Sequence, residues 1–134
     1  MNYKKLLLVI SVAITPLAHA TIIDIESEAN LTSLMADNGS PIVIKFAANW
    51  CGTCQAIKDS FEKIANDPKF GYITFYHVNI DKLPELTKKY SIIGIPTFVF
   101  INNLKEFQRE NGVKNVDLFY RDFSKKLMDI FPKR

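Results

Sequence analysis

The sequence predicts an α/β domain built on a central mixed β-sheet with helices on both faces. Strand-length apolar segments alternate with segments of helical periodicity along most of the chain, and a hairpin breaks the alternation near its end. One segment, Ile42-Val43-Ile44-Lys45-Phe46-Ala47, is apolar almost without a break, as expected of a strand covered on both sides. The chain has 134 residues, 48% of them hydrophobic, which suffices for one buried core.

The elements follow in order. Residues 22–25 are short and rich in isoleucine, a first strand. Ser27 is placed to cap a helix over Glu28–Asp37 that carries Leu31, Leu34 and Met35 on one face. Gly39-Ser40-Pro41 ends it, and the apolar strand 42–47 follows. A helix is predicted from Cys51 to about residue 66, with Cys54, Ile57, Phe61, Ile64 and Ala65 on its inner stripe and Asp67-Pro68 as its stop. Residues 73–80 read as a strand, and Pro84 suits the first turn of a short helix ending near Tyr90. A strand over 97–101 turns at Asn102-Asn103 into the polar edge strand 105–110, which Gly112 breaks. The last helix is predicted over 116–131, with Val116, Tyr120, Phe123, Leu127 and Phe131 at helical spacing.

Several classes are excluded early. Five glycines and six prolines rule out a collagenous or low-complexity chain, and two cysteines cannot build a disulfide scaffold or a four-cysteine zinc site. Formal charge is +3, and removing Lys4 and Lys5 from the 17 basic residues leaves 15 against 14 acidic ones, a balance that does not suggest nucleic acid. Those two lysines precede a thirteen-residue apolar run from Leu6 to Ala18, and Ala18-His19-Ala20 puts small residues at the spacing a signal peptidase reads. The run is shorter than the ~18 residues of a spanning helix. Residues 1–20 are therefore expected to be a signal peptide cleaved at Ala20/Thr21, leaving a domain over 21–134 that is periplasmic or secreted, where disulfides persist.

Chemistry concentrates in Trp50-Cys51-Gly52-Thr53-Cys54, at the junction of a buried strand and a helix. Cysteines three apart lie about one helical turn from each other, close enough for a small disulfide ring. Cys51 falls at the helix N-terminus, where unpaired N–H groups and the macrodipole favour a thiolate. It is the candidate nucleophile, and Cys54, a turn further in, the residue that resolves a mixed disulfide. A structural disulfide or a metal pair is the other reading of two such cysteines. Against it, a ring this small restrains little chain, and only His19 and His77 could add imidazole, so no metal site is assigned.

The chain resembles the thioredoxin family from Ile22 to about Phe131. The resemblance rests on the strand before Trp50-Cys51-Gly52-Thr53-Cys54, on Val78-Asn79-Ile80-Asp81, and on Tyr90-Ser91-Ile92-Ile93-Gly94-Ile95-Pro96-Thr97 forty residues on. It implies a thioredoxin-like fold, a cis proline at Pro96 lying against the disulfide, and a substrate-binding segment at Gly94 and Ile95 whose backbone meets an extended peptide. It implies a thiol–disulfide oxidoreductase that needs no cofactor beyond its own cysteine pair. The expected partners are protein dithiols and disulfides together with a membrane-bound redox partner, and the expected state is a monomer. Two other readings stay open: a thioredoxin-like module that binds copper or unfolded chains, and a thiol peroxidase.

The departures are informative. Thr53 stands where the family usually has proline between the cysteines, and Asp59 where a proline kinks the helix, so a straighter helix is expected. The family's buried aspartate, six residues before the first cysteine, is Lys45 here, and a lysine near it in space is His77. An acid and a base have become two bases. Trp50, Lys45 and His77 are thus the candidate supporting residues, with Lys45 expected to face the helix that carries Cys54.

Overall fold

In a computed structural model that describes residues 21–133, the elements run β1 (Ile23–Asp24), α1 (Glu28–Asp37), β2 (Ile42–Ala47), α2 (Gly52–Ala56), α3 (Lys58–Ala65), β3 (Thr74–Asn79), α4 (Pro84–Lys89), β4 (Thr97–Asn102), β5 (Lys105–Asn111) and α5 (Phe119–Ile130). A single 3-10 turn, Pro68–Phe70, links α3 to β3. The expected signal peptide, residues 1–20, lies outside the described residues.

The sheet is mixed, in the order β1-β3-β2-β4-β5. β1 and β2 both pair parallel to β3, whereas β4 runs antiparallel to β2 and to β5. This gives the parallel half and antiparallel edge that the alternation of strands and helices implies. β2 sits at the centre with all six residues buried, which explains its nearly unbroken apolar run. Side chains alternate across it. Ile42, Ile44 and Phe46 enter one core with Leu31 of α1 and Leu86 of α4, while Val43 enters the other with Phe61 of α3 and Phe123 of α5. Lys45 occupies the same face as Val43, so a cation is set into a wall that is otherwise aliphatic and aromatic.

Local chemistry sets the start of α1. The Ser27 hydroxyl accepts from the Asn30 N–H at 3.0 Å, the expected cap of α1. The edge strand β5 carries Lys105, Glu106, Arg109 and Glu110, and the Arg109 guanidinium grips both carboxylate oxygens of Glu106 at 2.6 and 2.8 Å.

Four sequence expectations are corrected. The helix after Cys51 is not one piece: it divides at Ile57, whose ψ of −2° departs from the helical ladder. The kink therefore forms without the family's proline, and it sets the fully buried Ile57 between α2 and α3 in the same core as Phe61 and Ile64. The last helix begins at Phe119 rather than near Val116, because the Asn115 side chain accepts from the Leu118 N–H at 3.2 Å and holds residues 116–118 in a turn. Phe119 then takes the buried place expected of Val116, stacking on Phe123 at 4.9 Å between centroids. The hairpin turn is Asn103-Leu104, both at positive φ, rather than Asn102-Asn103. Finally, the first strand is only two residues long.

Candidate functional site

The reactive pair is built by the junction of β2 and α2. Cys51 is the N-cap of α2 and closes a disulfide with Cys54, with 5.2 Å between the two Cα atoms. The Cys54 backbone N–H donates to Cys51 Sγ at 3.2 Å, and the Gln55 N–H to the Cys51 carbonyl at 3.1 Å. After reduction the same geometry holds an amide donor against the Cys51 sulfur, which favours its thiolate. Both sulfurs are nearly buried, Cys51 at 7% exposed and Cys54 at 3%, and what separates them is position, Cys51 being the N-cap of α2 and Cys54 lying within the helix. Brief iodoacetamide treatment of the reduced protein at neutral pH is therefore expected to label Cys51 well before Cys54. Peptide mapping checks this, and equal labelling would place both sulfurs in the same environment.

The segment 93–96 crosses in front of the pair. The Ile95–Pro96 peptide is cis, as the resemblance implies, and Ile95 packs on the patch formed by Ala47, Cys51 and Cys54. The Ile95 carbonyl oxygen lies 3.9 Å from Cys51 Sγ. Pro96 is buried, and the Thr97 hydroxyl donates to the Gly94 carbonyl at 2.6 Å, which fixes the bend. Around this bend the surface is apolar and open, with Ile93 93% and Trp50 69% exposed. Trp50 is oriented by its indole N–H, which donates to Asp81 at 2.9 Å. Asp81 is held in turn by an Asn79 side chain that accepts its N–H at 2.9 Å. Val78-Asn79-Ile80-Asp81 is part of the family resemblance, but the sequence alone assigns Asp81 no task.

Behind Cys54 is a cleft of about 550 Å³ lined by Cys54, Lys45, His77, Asp24, Lys58 and Glu62, among others. Lys45 faces it, as expected, and is only 6% exposed; its Nζ lies 4.5 Å from the centroid of the Phe61 ring. Burial pulls the Lys45 pKa below the ordinary lysine value, with Glu62 and Asp24 opposing and Lys58 adding to the fall. His77 stands beside Lys45 in register across β2 and β3. Burial also lowers the His77 pKa; a hydrogen bond with Asp24 opposes that, and the neighbouring Lys45 reinforces it. The expectation of two bases is thus incomplete. Asp24 of β1 restores an acid, its carboxylate 2.7 Å from His77 Nδ1. An acid in an otherwise isoleucine-rich strand was the only sequence signal for it. Among the described residues no group of three or more His, Cys, Asp or Glu side chains is placed to hold a metal ion.

A reactive disulfide at a helix start, faced by a cis proline and an open apolar surface, defines a thiol–disulfide oxidoreductase. Residues 22–124 match the family model for thioredoxin. The chain belongs to the thioredoxin family. It is 34% identical over 77 residues to thioredoxin H2 of Arabidopsis thaliana, a match spanning 58% of this chain and 56% of that protein. It is 38% identical over 81 residues to a putative thioredoxin-5 of Dictyostelium discoideum, spanning 60% and 77%. The crystal structure of thioredoxin from Trypanosoma brucei brucei superposes with a TM-score of 0.73 at 25% identity, covering 89% of this chain and 98% of that one.

Proposed function

We propose that the protein is an exported thioredoxin that exchanges its Cys51–Cys54 pair with disulfides or dithiols of other proteins outside the cytoplasm. The observation that carries the exchange is the disulfide capping α2 beside the half-buried Ile95, with Trp50, Ile93 and Gly94 exposed around it. An extended peptide laid along that surface meets the backbone of Ile95 beside Cys51. In the reducing direction the Cys51 thiolate attacks one sulfur of the partner disulfide and expels the other as a thiolate. Cys54 then attacks Cys51, and the partner leaves with both electrons of the dithiol. The reverse sequence oxidises a partner dithiol. No bound cofactor takes part in either direction.

Export rests on residues 1–20, with their two lysines, apolar run and Ala18-His19-Ala20 site, which fit a secretory signal and a mature start at Thr21. The mature chain acts in this proposal as a periplasmic or secreted monomer. Outside the cytoplasm its electrons must come through a membrane-bound redox partner, since NADPH-dependent reductases are on the other side. The test is insulin reduction driven by dithiothreitol, in which the mature protein is expected to turn over many times; a metal carrier would not. N-terminal sequencing of the exported protein is expected to begin at Thr21, and an intact Met1 on membrane-recovered material would overturn the cleavage.

A further inference from the structure

We propose that Arg109, braced by Glu106, is a positioning residue: it fixes the start of the loop that receives a partner's chain, residues 91–95, and so sets the preference for protein disulfides over small ones. The proposal rests on the exchange reaction above and adds to it a determinant of specificity that acts through the loop and not on the sulfurs. The pairing of β4 with β5 steps from Phe100–Gln108 to Ile101–Glu106 and passes over Phe107, a bulge of one residue. In an unbroken strand, residues three apart face opposite sides of the sheet. Here the bulge brings Glu106, opposite Ile101, and Arg109, opposite Val99, to one face, the face whose core also takes Leu86 and Tyr90. The guanidinium spends Nε and Nη2 on the two carboxylate oxygens of Glu106, and its third nitrogen, Nη1, donates to the Tyr90 carbonyl at 2.9 Å.

Tyr90 is where the loop leaves α4. Ser91 follows it at a φ of 52°, and the N–H groups of Ser91 and Ile92 donate back to Lys88 and Thr87 at 2.9 and 3.1 Å, which closes the helix. The carbonyl of Tyr90 belongs to the acceptors that a helix end leaves unpaired, and Arg109 supplies its donor. At the far end of the loop the Gly112 N–H donates to the Pro96 carbonyl at 2.7 Å, so β5 and the turn after it hold the loop at both ends. Between them Ser91, Ile93 and Gly94 are exposed, and Ile92 and Ile95 are half-buried. A chain that docks along the backbone of Ile95 gains from a loop already in its bound shape, because a loop ordered during binding costs affinity. A small aromatic disulfide reaches Cys51 without spanning the loop and is indifferent to it. The Arg109 and Glu106 side chains are 29% and 32% exposed, and an ion pair so placed contributes little to stability, so variants at either position are expected to fold.

The test compares two substrates of the mature protein, insulin and 5,5′-dithiobis(2-nitrobenzoate), in wild type, Arg109→Met, Arg109→Lys and Glu106→Gln. Arg109→Met is expected to raise the KM for insulin at least fivefold, with kcat and the rate of dithiobis(nitrobenzoate) reduction both within twofold of wild type. Arg109→Lys keeps one donor for the Tyr90 carbonyl but loses the fork on Glu106, so a rise of about two- to threefold is expected, and Glu106→Gln should fall in the same range. These two milder variants carry the test if the methionine protein fails to fold. An insulin KM equal to that of wild type in the variants overturns the proposal. So does a parallel fall in the reduction of both substrates, which would mean that the substitution acts on the cysteines or on the fold at large. Absence of insulin turnover by the wild type is a separate outcome, which removes the exchange reaction itself and the proposal with it.

Discussion

Cys54→Ser is expected to reduce insulin turnover to the rate of dithiothreitol alone while leaving the first bond-forming step intact. Cys51 is at the N-terminus of α2 with an amide N–H on its sulfur, so it attacks a partner disulfide without help from Cys54. The serine hydroxyl cannot displace the partner from Cys51, and the covalent adduct accumulates. Non-reducing electrophoresis should show adducts that dithiothreitol releases. Cys51→Ser loses both turnover and adducts, because the remaining thiol lies within α2 and lacks the place at the helix N-terminus that activates Cys51. The double variant should be no worse than either single one, as groups that act as a unit do not add. Adducts forming as readily on Cys54 of the Cys51→Ser protein would reverse the assigned roles.

What the sequence makes legible here is what depends on short-range periodicity. The continuous apolar run of β2, the Ser27 cap and the position of Cys51 at a helix start are all local, and each lies where expected. The cis bond before Pro96 came from the family resemblance, since nothing in Ile95-Pro96 alone distinguishes it from a strand start. The break at Ile57 was hidden because its cause is tertiary: no glycine or proline marks it, and the buried side chain goes to the core of α3 and α5. The start of α5 was misplaced for a related reason. Val116 and Phe119 both fit an apolar stripe, and only the Asn115 hydrogen bond decides which one begins the helix. The Asp24–His77 pair was least legible, because it depends on parallel register between strands 53 residues apart. Lys45 is the opposite case. Period-two alternation along β2 puts it opposite Ile44 and Phe46, the family resemblance makes that the side of Cys54, and its intrusion in an apolar run is itself a signal.

Lys45→Leu is expected to make the oxidised protein more stable and its disulfide a weaker oxidant. The two effects share one cause. Folding lowers the pKa of Lys45, so the unfolded chain holds the proton more tightly, and at neutral pH the native state carries that penalty. The penalty is fully present below the folded pKa and fades as pH rises through it toward the unfolded value of about 10.4. Leucine removes it, so at pH 7 the variant is expected to be the more stable of the two oxidised proteins. The lost cation–π contact with Phe61, about 0.5 to 2 kcal/mol, offsets part of this but not its pH dependence. Denaturant unfolding of the oxidised forms should therefore show a wild-type–Leu difference that shrinks from pH 6 to pH 10. Reduction reverses the balance, because a thiolate then gives the ammonium a partner. For any two unit charges about 6 Å apart at an effective dielectric near 20, such an attraction is roughly 2 to 3 kcal/mol before desolvation. Every 1.4 kcal/mol retained raises the potential by about 30 mV for this two-electron couple, so the wild type is expected tens of millivolts above the roughly −270 mV of thioredoxin. A glutathione equilibrium should find Lys45→Leu more negative by a similar amount, with a raised Cys51 pKa in thiolate absorbance. A leucine variant with unchanged stability, potential and Cys51 pKa would mean that the ammonium is solvated in both redox states, and the charge in the wall of the cleft would then have no part in the chemistry.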